Sequence, residues 1–195
     1  MPRALSNQMK DMDIQDLSDE LIRMAAQGDA QAGEALYAAA HGFVFHVALG
    51  MAGNEDDAYE IAQETFIKIL ENLDQFKFKS SLKTWIYRIT VNTALNTRKK
   101  NRMLNHRRVA FDETLESLSE SPVERHATSA SSAQTVQLLL DTLGDDQRAC
   151  VVLRDMEGLR YEEIAQILRI NINTVRSRLK RARENLLLQR EKYAL

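Results

Sequence analysis

Arg176, Arg178, Lys180, Arg181 and Arg183 crowd one helical stretch, with Asn173 and Ser177 among them. Side chains of these types can read nucleic acid. An arginine fork bonds guanine at O6 and N7 in the major groove, while flanking cations hold phosphates. On a helical wheel the face opposite Val175 and Leu179 presents Asn173, Ser177, Lys180 and Arg181, with Arg176 and Arg178 on its flanks. Alone, that pattern could be an exposed amphipathic helix. It is preceded, however, by a short apolar-faced segment (Ile164, Ala165, Ile167, Leu168) and a turn at Arg169 to Asn171. Two helices joined by a short turn, the second basic and capped by Asn171, describe a helix-turn-helix with its recognition helix.

Two further constellations lie earlier in the chain. Asp56, Glu60 and Glu64 repeat at helical spacing and stack on one face opposite Ile61, Ala62, Phe66 and Ile69. By pattern alone this is a solvated acidic face, or a surface for docking on basic side chains. The stretch FKFKSSLKTWIYRITVNTALNTRKKNR then alternates rings (Phe76, Phe78, Trp85, Tyr87) with Lys77, Lys79, Lys83 and Arg88. Rings stack on unpaired bases and cations track the backbone, so the mixture suits single-stranded DNA. The competing reading is that Phe76 and Trp85 are simply core; Trp85, on the same helical side as Ile89, is read as core. Arg98, Lys99, Lys100, Arg102, Arg107 and Arg108 follow as a basic block, either a solvated helix end or a phosphate contact.

These residues need helices to hold them, and the composition supplies helices. Over 195 residues there are seven Gly and two Pro, with 44% hydrophobic and 28% charged content. Such a chain can build packed cores, and its Ala-, Leu-, Glu- and Arg-rich stretches favour helix. The net charge of −2 hides a segregation of basic blocks from acidic ones at Asp11 to Glu20, Glu55 to Glu64 and Asp112 to Glu124. Isolated, the protein should bind bulk DNA weakly. Residues 1 to about 16 read as a polar mobile tail. Residues 17 to 103 carry helices at about 18–28, 30–51, 54–73 and 82–100. Residues 104 to 132, rich in Ser and acid, read as a flexible linker. Residues 133 to 191 are helical again. The fold class is all-α: two small helical domains with a linker between them.

The motifs resemble the sigma-70 family of bacterial RNA polymerase sigma factors, in its small extracytoplasmic-function (ECF) group. NEDDAYEIAQETF is similar to region 2.2, which grips a coiled coil of the polymerase beta-prime subunit. That resemblance implies Asp56, Glu60, Gln63 and Glu64 as the core polymerase interface. FKFKSSLKTWIYRITVN resembles regions 2.3 to 2.4, whose loop captures a base flipped from the −10 element. Carried over, Phe76, Ile89 and Asn92 line the base pocket, with Lys77, Lys83, Arg88, Lys99, Lys100 and Arg102 around the melted strand. The C-terminal part follows the region 4.2 signature at Gln147, Arg148, Leu153, Arg154, Gly158, Tyr161, Glu163 to Ala165, and Thr174 through Arg183. It implies −35 recognition by Asn173, Thr174, Arg176, Ser177, Arg178, Lys180 and Arg181. This sequence departs from the family pattern at Phe78 (usually Gly), Gly144 (Pro), Arg160 (Ser) and Arg169 (Gly).

The resemblance implies core RNA polymerase, through beta-prime and beta subunits, and promoter DNA as partners, with an anti-sigma factor as restraint. A stand-alone helix-turn-helix regulator, or a protein-binding sigma mimic, would share the basic helix. Nothing suggests an enzyme, a cofactor or a small-molecule substrate: no phosphate loop, dinucleotide fingerprint or nucleophile elbow occurs. The four His and one Cys lack metal-ligand spacing, and Cys150 reads as core. No uninterrupted apolar run of about 18 residues exists and the start lacks a signal-peptide core, so no membrane insertion and a cytoplasmic location are expected.

Overall fold

A computed structural model describes residues 13–112 and 132–192, with side chains over 13–104 and 135–190. Among the described residues there are helices and no strands. The N-terminal half opens on a 3-10 turn, Ile14–Asp16, and continues with α1 (Asp19–Ala26), α2 (Ala30–Ala52), α3 (Glu55–Asn72) and α4 (Leu82–Asp112). The C-terminal half holds α5 (Ser132–Asp141), α6 (Asp145–Val151, widened into a π turn over Val152–Met156), α7 (Tyr161–Leu168) and α8 (Ile172–Lys192).

The starts are set by side chains that satisfy orphan amide donors. Ser18 Oγ accepts from Leu21 N–H, Asp29 from Ala32 and Asn54 from Asp57. At α3, Glu55, Asp56 and Asp57 add negative charge to the positive end of the dipole. Gly53 ends α2 in the left-handed conformation. α4 runs on to Asp112, past the Lys100 at which its sequence pattern ends. Ile14, expected in the tail, is buried in the core beside Leu17 and Ile22. The remainder of the expected tail and of the acidic linker, residues 1–12 and 113–131, lies outside the described residues.

α2 is long and apolar enough to cross a membrane by length and composition, although no unbroken apolar run marks it. Its apolar side chains are nevertheless taken up in two cores. Leu36, Ala40 and Val44 pack with α1, α3 and the start of α4. Val47, Ala48 and Met51 join a second core in which Val152, Leu153, Ile164 and Val175 of the C-terminal half take part. The two halves therefore share one apolar cluster, which the expectation of two modules on a linker does not contain.

Polar contacts edge that shared core. Tyr87 Oη donates to Glu157 at 2.8 Å, and the phenol is held far above its ordinary pKa by burial and by that carboxylate. Arg148, fully buried, donates to the Gly50 carbonyl at 2.7 Å and pairs with Asp141. Arg98 reaches Asp145 at 2.9 Å and the Met51 carbonyl at 2.7 Å, and Arg102 also pairs with Asp145. Cys150 is buried as expected, and desolvation pushes its thiol up to about 11.

Phe78 and Arg169 are the non-glycine residues with positive φ among those described, both at 53°, and both stand where the family pattern has glycine. The left-handed region costs an L side chain about 1–2 kcal/mol. Arg169 is exposed and adds repulsion toward Arg88. Arg169→Gly is therefore expected to stabilise the fold by about 1 kcal/mol, raising Tm by about 2–4 °C in a scan of the full chain. An unchanged or lower Tm would mean that the turn's strain is relieved elsewhere.

Candidate nucleic-acid and partner surfaces

The helix-turn-helix sits on α7 and α8. Ile164 and Ile167 of α7 bury against Val175, Leu179 and Ala182 of α8, fixing the pair by their apolar sides. Arg169 makes the left-handed turn, and Asn171 Oδ1 caps α8 by accepting from Asn173 N–H at 2.8 Å. Arg160, in place of a Ser cap, has no acceptor to offer. Glu163 reaches back instead and accepts from the Arg160 N–H at 2.7 Å.

On α8 the side chains sort by burial. Asn173, Arg176, Ser177, Lys180 and Arg181 are placed toward one outer face, whereas Val175, Leu179 and Ala182 are buried on the other. Arg176 leans on Asn173 Oδ1 at 2.9 Å. Arg178 pairs with Asp146 at 2.6 Å and Arg183 with Asp155 at 3.0 Å, so these two cations tie α8 to α6 and its π turn. That pairing is a role the sequence pattern does not separate from DNA contact.

The acidic row lies on the outer side of α3. Asp56, Glu60 and Gln63 are exposed, and Glu64 is half-buried and paired with Lys68 at 2.6 Å. Beside the row, Tyr59, Ile67 and Leu70 are each more than half exposed. Tyr59 continues an aromatic series through Phe45 and His41 to Tyr37 and Phe66 on α2 and α3. The sequence pattern gives Tyr59 and Ile67 no role and counts Leu70 with the apolar stripe of this helix, whereas all three are exposed.

The aromatic-basic segment forms the loop before α4 and its first turns. Phe76 is buried against Trp85 (ring centroids 5.5 Å apart) and Phe78 (4.7 Å). Ile89 packs half-buried on the same cluster, and Asn92 is exposed further along α4. Lys77, Lys99 and Lys100 are exposed, while Lys83 lies over the Phe43 ring at 5.4 Å. Arg88 donates to the Gln166 carbonyl of α7 at 2.9 Å; its Nε is buried without a partner, and desolvation, then Arg169, lowers its pKa. Arg88 and Arg102 are thus both spent on the C-terminal half in this conformation. A cleft of about 650 Å³ runs along the loop, with Phe76, Phe78, Ser80 and Lys83 on one wall and Arg160, Glu163 and Ile167 of the C-terminal half on the other. No metal-competent cluster of His, Cys, Asp and Glu occurs among the described residues.

Two family models match this chain: Sigma-70 region 2 over residues 36–103 and Sigma-70, region 4 over residues 133–186. The RNA polymerase sigma-H factor of Pseudomonas aeruginosa is 32% identical over 179 residues, covering 87% of this chain and 92% of that protein. The RNA polymerase sigma factor SigV of Bacillus subtilis is 32% identical across 74% of this chain and 82% of its own length. The ECF RNA polymerase sigma-E factor of Escherichia coli is 38% identical across 66% and 71%. Among solved structures, CnrH in complex with the cytosolic domain of CnrY has the same fold, with a TM-score of 0.64 at 23% identity, covering 89% of this chain and 96% of that one. The sigma factor RpoE of Bartonella quintana, in complex with the anti-sigma factor NepR, gives a TM-score of 0.56 at 28% identity, covering 73% and 86%.

Proposed function

This chain belongs to the ECF group of the sigma-70 family of RNA polymerase sigma factors, and on that premise we propose how its surfaces divide the work. The protein binds core RNA polymerase and directs transcription initiation at specific promoters. In the proposed division, residues 17–103 bind polymerase and hold the −10 element unpaired, and residues 133–191 read the −35 duplex. The observation that carries the division is the bare outer face of α8: Asn173, Arg176, Lys180 and Arg181 stand exposed while the opposite side is anchored in the core. A major groove admits such a helix, and its bases offer acceptors to arginine. Thr174, Ser177 and Arg178 complete the proposed −35 set.

Asp56, Glu60, Gln63 and Glu64 form the proposed beta-prime docking row. Carboxylates beside exposed Tyr59 and Ile67 suit a partner helix that carries arginine, since the charges steer approach and the apolar groups supply area once water is expelled. Phe76, Lys77, Lys83, Arg88, Ile89, Asn92, Lys99, Lys100 and Arg102 are the proposed −10 and melting set. Restraint by an anti-sigma protein is proposed from the complex of the similar Bartonella quintana factor with NepR, and a cytoplasmic location from the need to meet polymerase.

Reversing charge at Glu60→Lys and Glu64→Lys together is the direct test. Charge pairs desolvated in such interfaces cost about 2–5 kcal/mol when one partner is lost, so affinity for core polymerase should fall at least about thirtyfold. Transcription in vitro from a promoter library should fall with it, while duplex binding by α8 is spared. Unchanged core affinity would remove the docking row from the proposal. Tight, specific duplex binding without polymerase would favour a stand-alone regulator instead.

A further inference from the structure

Phe78 holds a strained backbone conformation with no packing need that accounts for an aromatic side chain there. At φ 53° a glycine would make the same turn freely. The ring is 38% exposed and touches Phe76 on one side. Phe76 does not depend on it, being already packed on Trp85. Over the Phe78 ring, at 5.2 Å from its centroid, lies the guanidinium of the exposed Arg23. A strained residue carrying a partly exposed aromatic ring is a pattern found at ligand sites, where function compensates for strain.

We propose that Phe78 is a stacking platform for one unpaired base of the promoter's −10 strand, on the ring face that Arg23 covers in the free chain. The inference rests on the proposed −10 assignment of this loop. It adds a residue and a mode of contact that the family's glycine cannot provide. Arg23 lies over the same ring face at cation–π distance, so that face is reachable from solvent once Arg23 swings aside. Lys77 and Lys79, exposed on either side of Phe78 in sequence, bring cations for the neighbouring phosphates. Ser80 and Ser81 line the adjoining cleft, Ser81 with its hydroxyl shared with Thr84 at the start of α4. Stacked ring and flanking cations are the parts of a single-strand site.

The test uses holoenzyme, reconstituted with core polymerase, and single-stranded DNA that wild-type holoenzyme selects from a randomised pool. Phe78→Gly and Phe78→Leu are each expected to weaken binding about five- to a hundredfold, the range for one lost base stack. Phe78→Trp should bind as well as wild type. Glycine at this position relieves backbone strain, so the same Phe78→Gly chain should melt no lower than wild type, which separates lost binding from lost folding. Replacing each base in turn by an abasic site identifies the stacked position, where the abasic and Phe78→Gly losses do not add. Binding of Phe78→Gly and Phe78→Leu within about twofold of wild type, inside the usual error for independent sites, would overturn the inference and leave Phe78 as a lid on Phe76. If wild-type holoenzyme selects no single-stranded sequence, the −10 assignment itself falls, and this inference with it.

Discussion

Gly50→Leu is expected to part the two halves of the free protein without unfolding either one. A Cβ built at Gly50 would lie 3.0 Å from Val152 Cγ2 and 3.0 Å from Met156 Sδ. Met156 is exposed and can swing away, but Val152 is fully buried and cannot. Extra methylenes forced into a well-packed site cost about 1–3 kcal/mol. Here that cost falls on the contact between halves, because α2 can keep its own helix with Leu at this position.

The remaining interface sets unsatisfied groups against its satisfied contacts at Tyr87, Arg98 and Arg102. Nη2 of Arg148 and Nε of Arg88 are buried there without partners, and each unsatisfied group costs about 1–3 kcal/mol that opening would recover by hydration. Burial also lowers the pKa of both arginines, a sign that their charge would rather be in water. The measurement is small-angle scattering. A compact chain of this length has a radius of gyration of about 16 Å; the variant should be larger, with unchanged far-ultraviolet helicity. The cleft beside Phe78 loses its second wall of Arg160, Glu163 and Ile167 on opening, so single-strand binding by the free variant should rise. An unchanged radius would show that Val152 and Met156 yield, and that the close approach at Gly50 does not govern the docking.

That docking was the part of the architecture least legible in the residues, and the reason is physical. Val47, Met51, Val152 and Leu153 each fit a helical apolar stripe, and periodicity cannot tell whether the covering face belongs to the same half or the other. One signal was present. α2 is apolar nearly all round, and such a helix needs cover on more than one side; the C-terminal half supplies part of it. Gly50 reads as an ordinary helix-end residue until the close approach of Val152 is seen. Arg88 and Arg102 show the complementary difficulty. An arginine suited to phosphate is equally suited to a carbonyl or to Asp145, and only position decides. The helix-turn-helix was legible because its turn, its cap at Asn171 and its two apolar faces agree with one another. Phe78 and Arg169 were legible as departures; that both need left-handed backbone became visible only with the turns themselves.

The outer face of α8 carries the largest consequence for transcription. Of its cations, Arg178 and Arg183 are held by Asp146 and Asp155. Arg176 and Arg181 project from the exposed face, and Lys180 meets Glu184 only at 3.9 Å. Arg176→Ala with Arg181→Ala should therefore remove two DNA contacts while the helix stays anchored by Val175, Leu179 and Ala182. Each base-reading contact is worth about 1–3 kcal/mol, so the double variant should lose at least about thirtyfold in −35-dependent transcription in vitro. Core polymerase affinity should not change, because the acidic row on α3 is untouched. Salt dependence separates the two kinds of contact: a lost phosphate contact lowers the slope of log affinity against log salt by about 1, and a lost base contact leaves it. Arg183→Ala is the control. Its ion pair is an anchor within the C-terminal half, so its removal should cost about 0–1 kcal/mol of stability and change promoter preference less than the double variant does. Full transcription by the double variant would remove this face from promoter recognition.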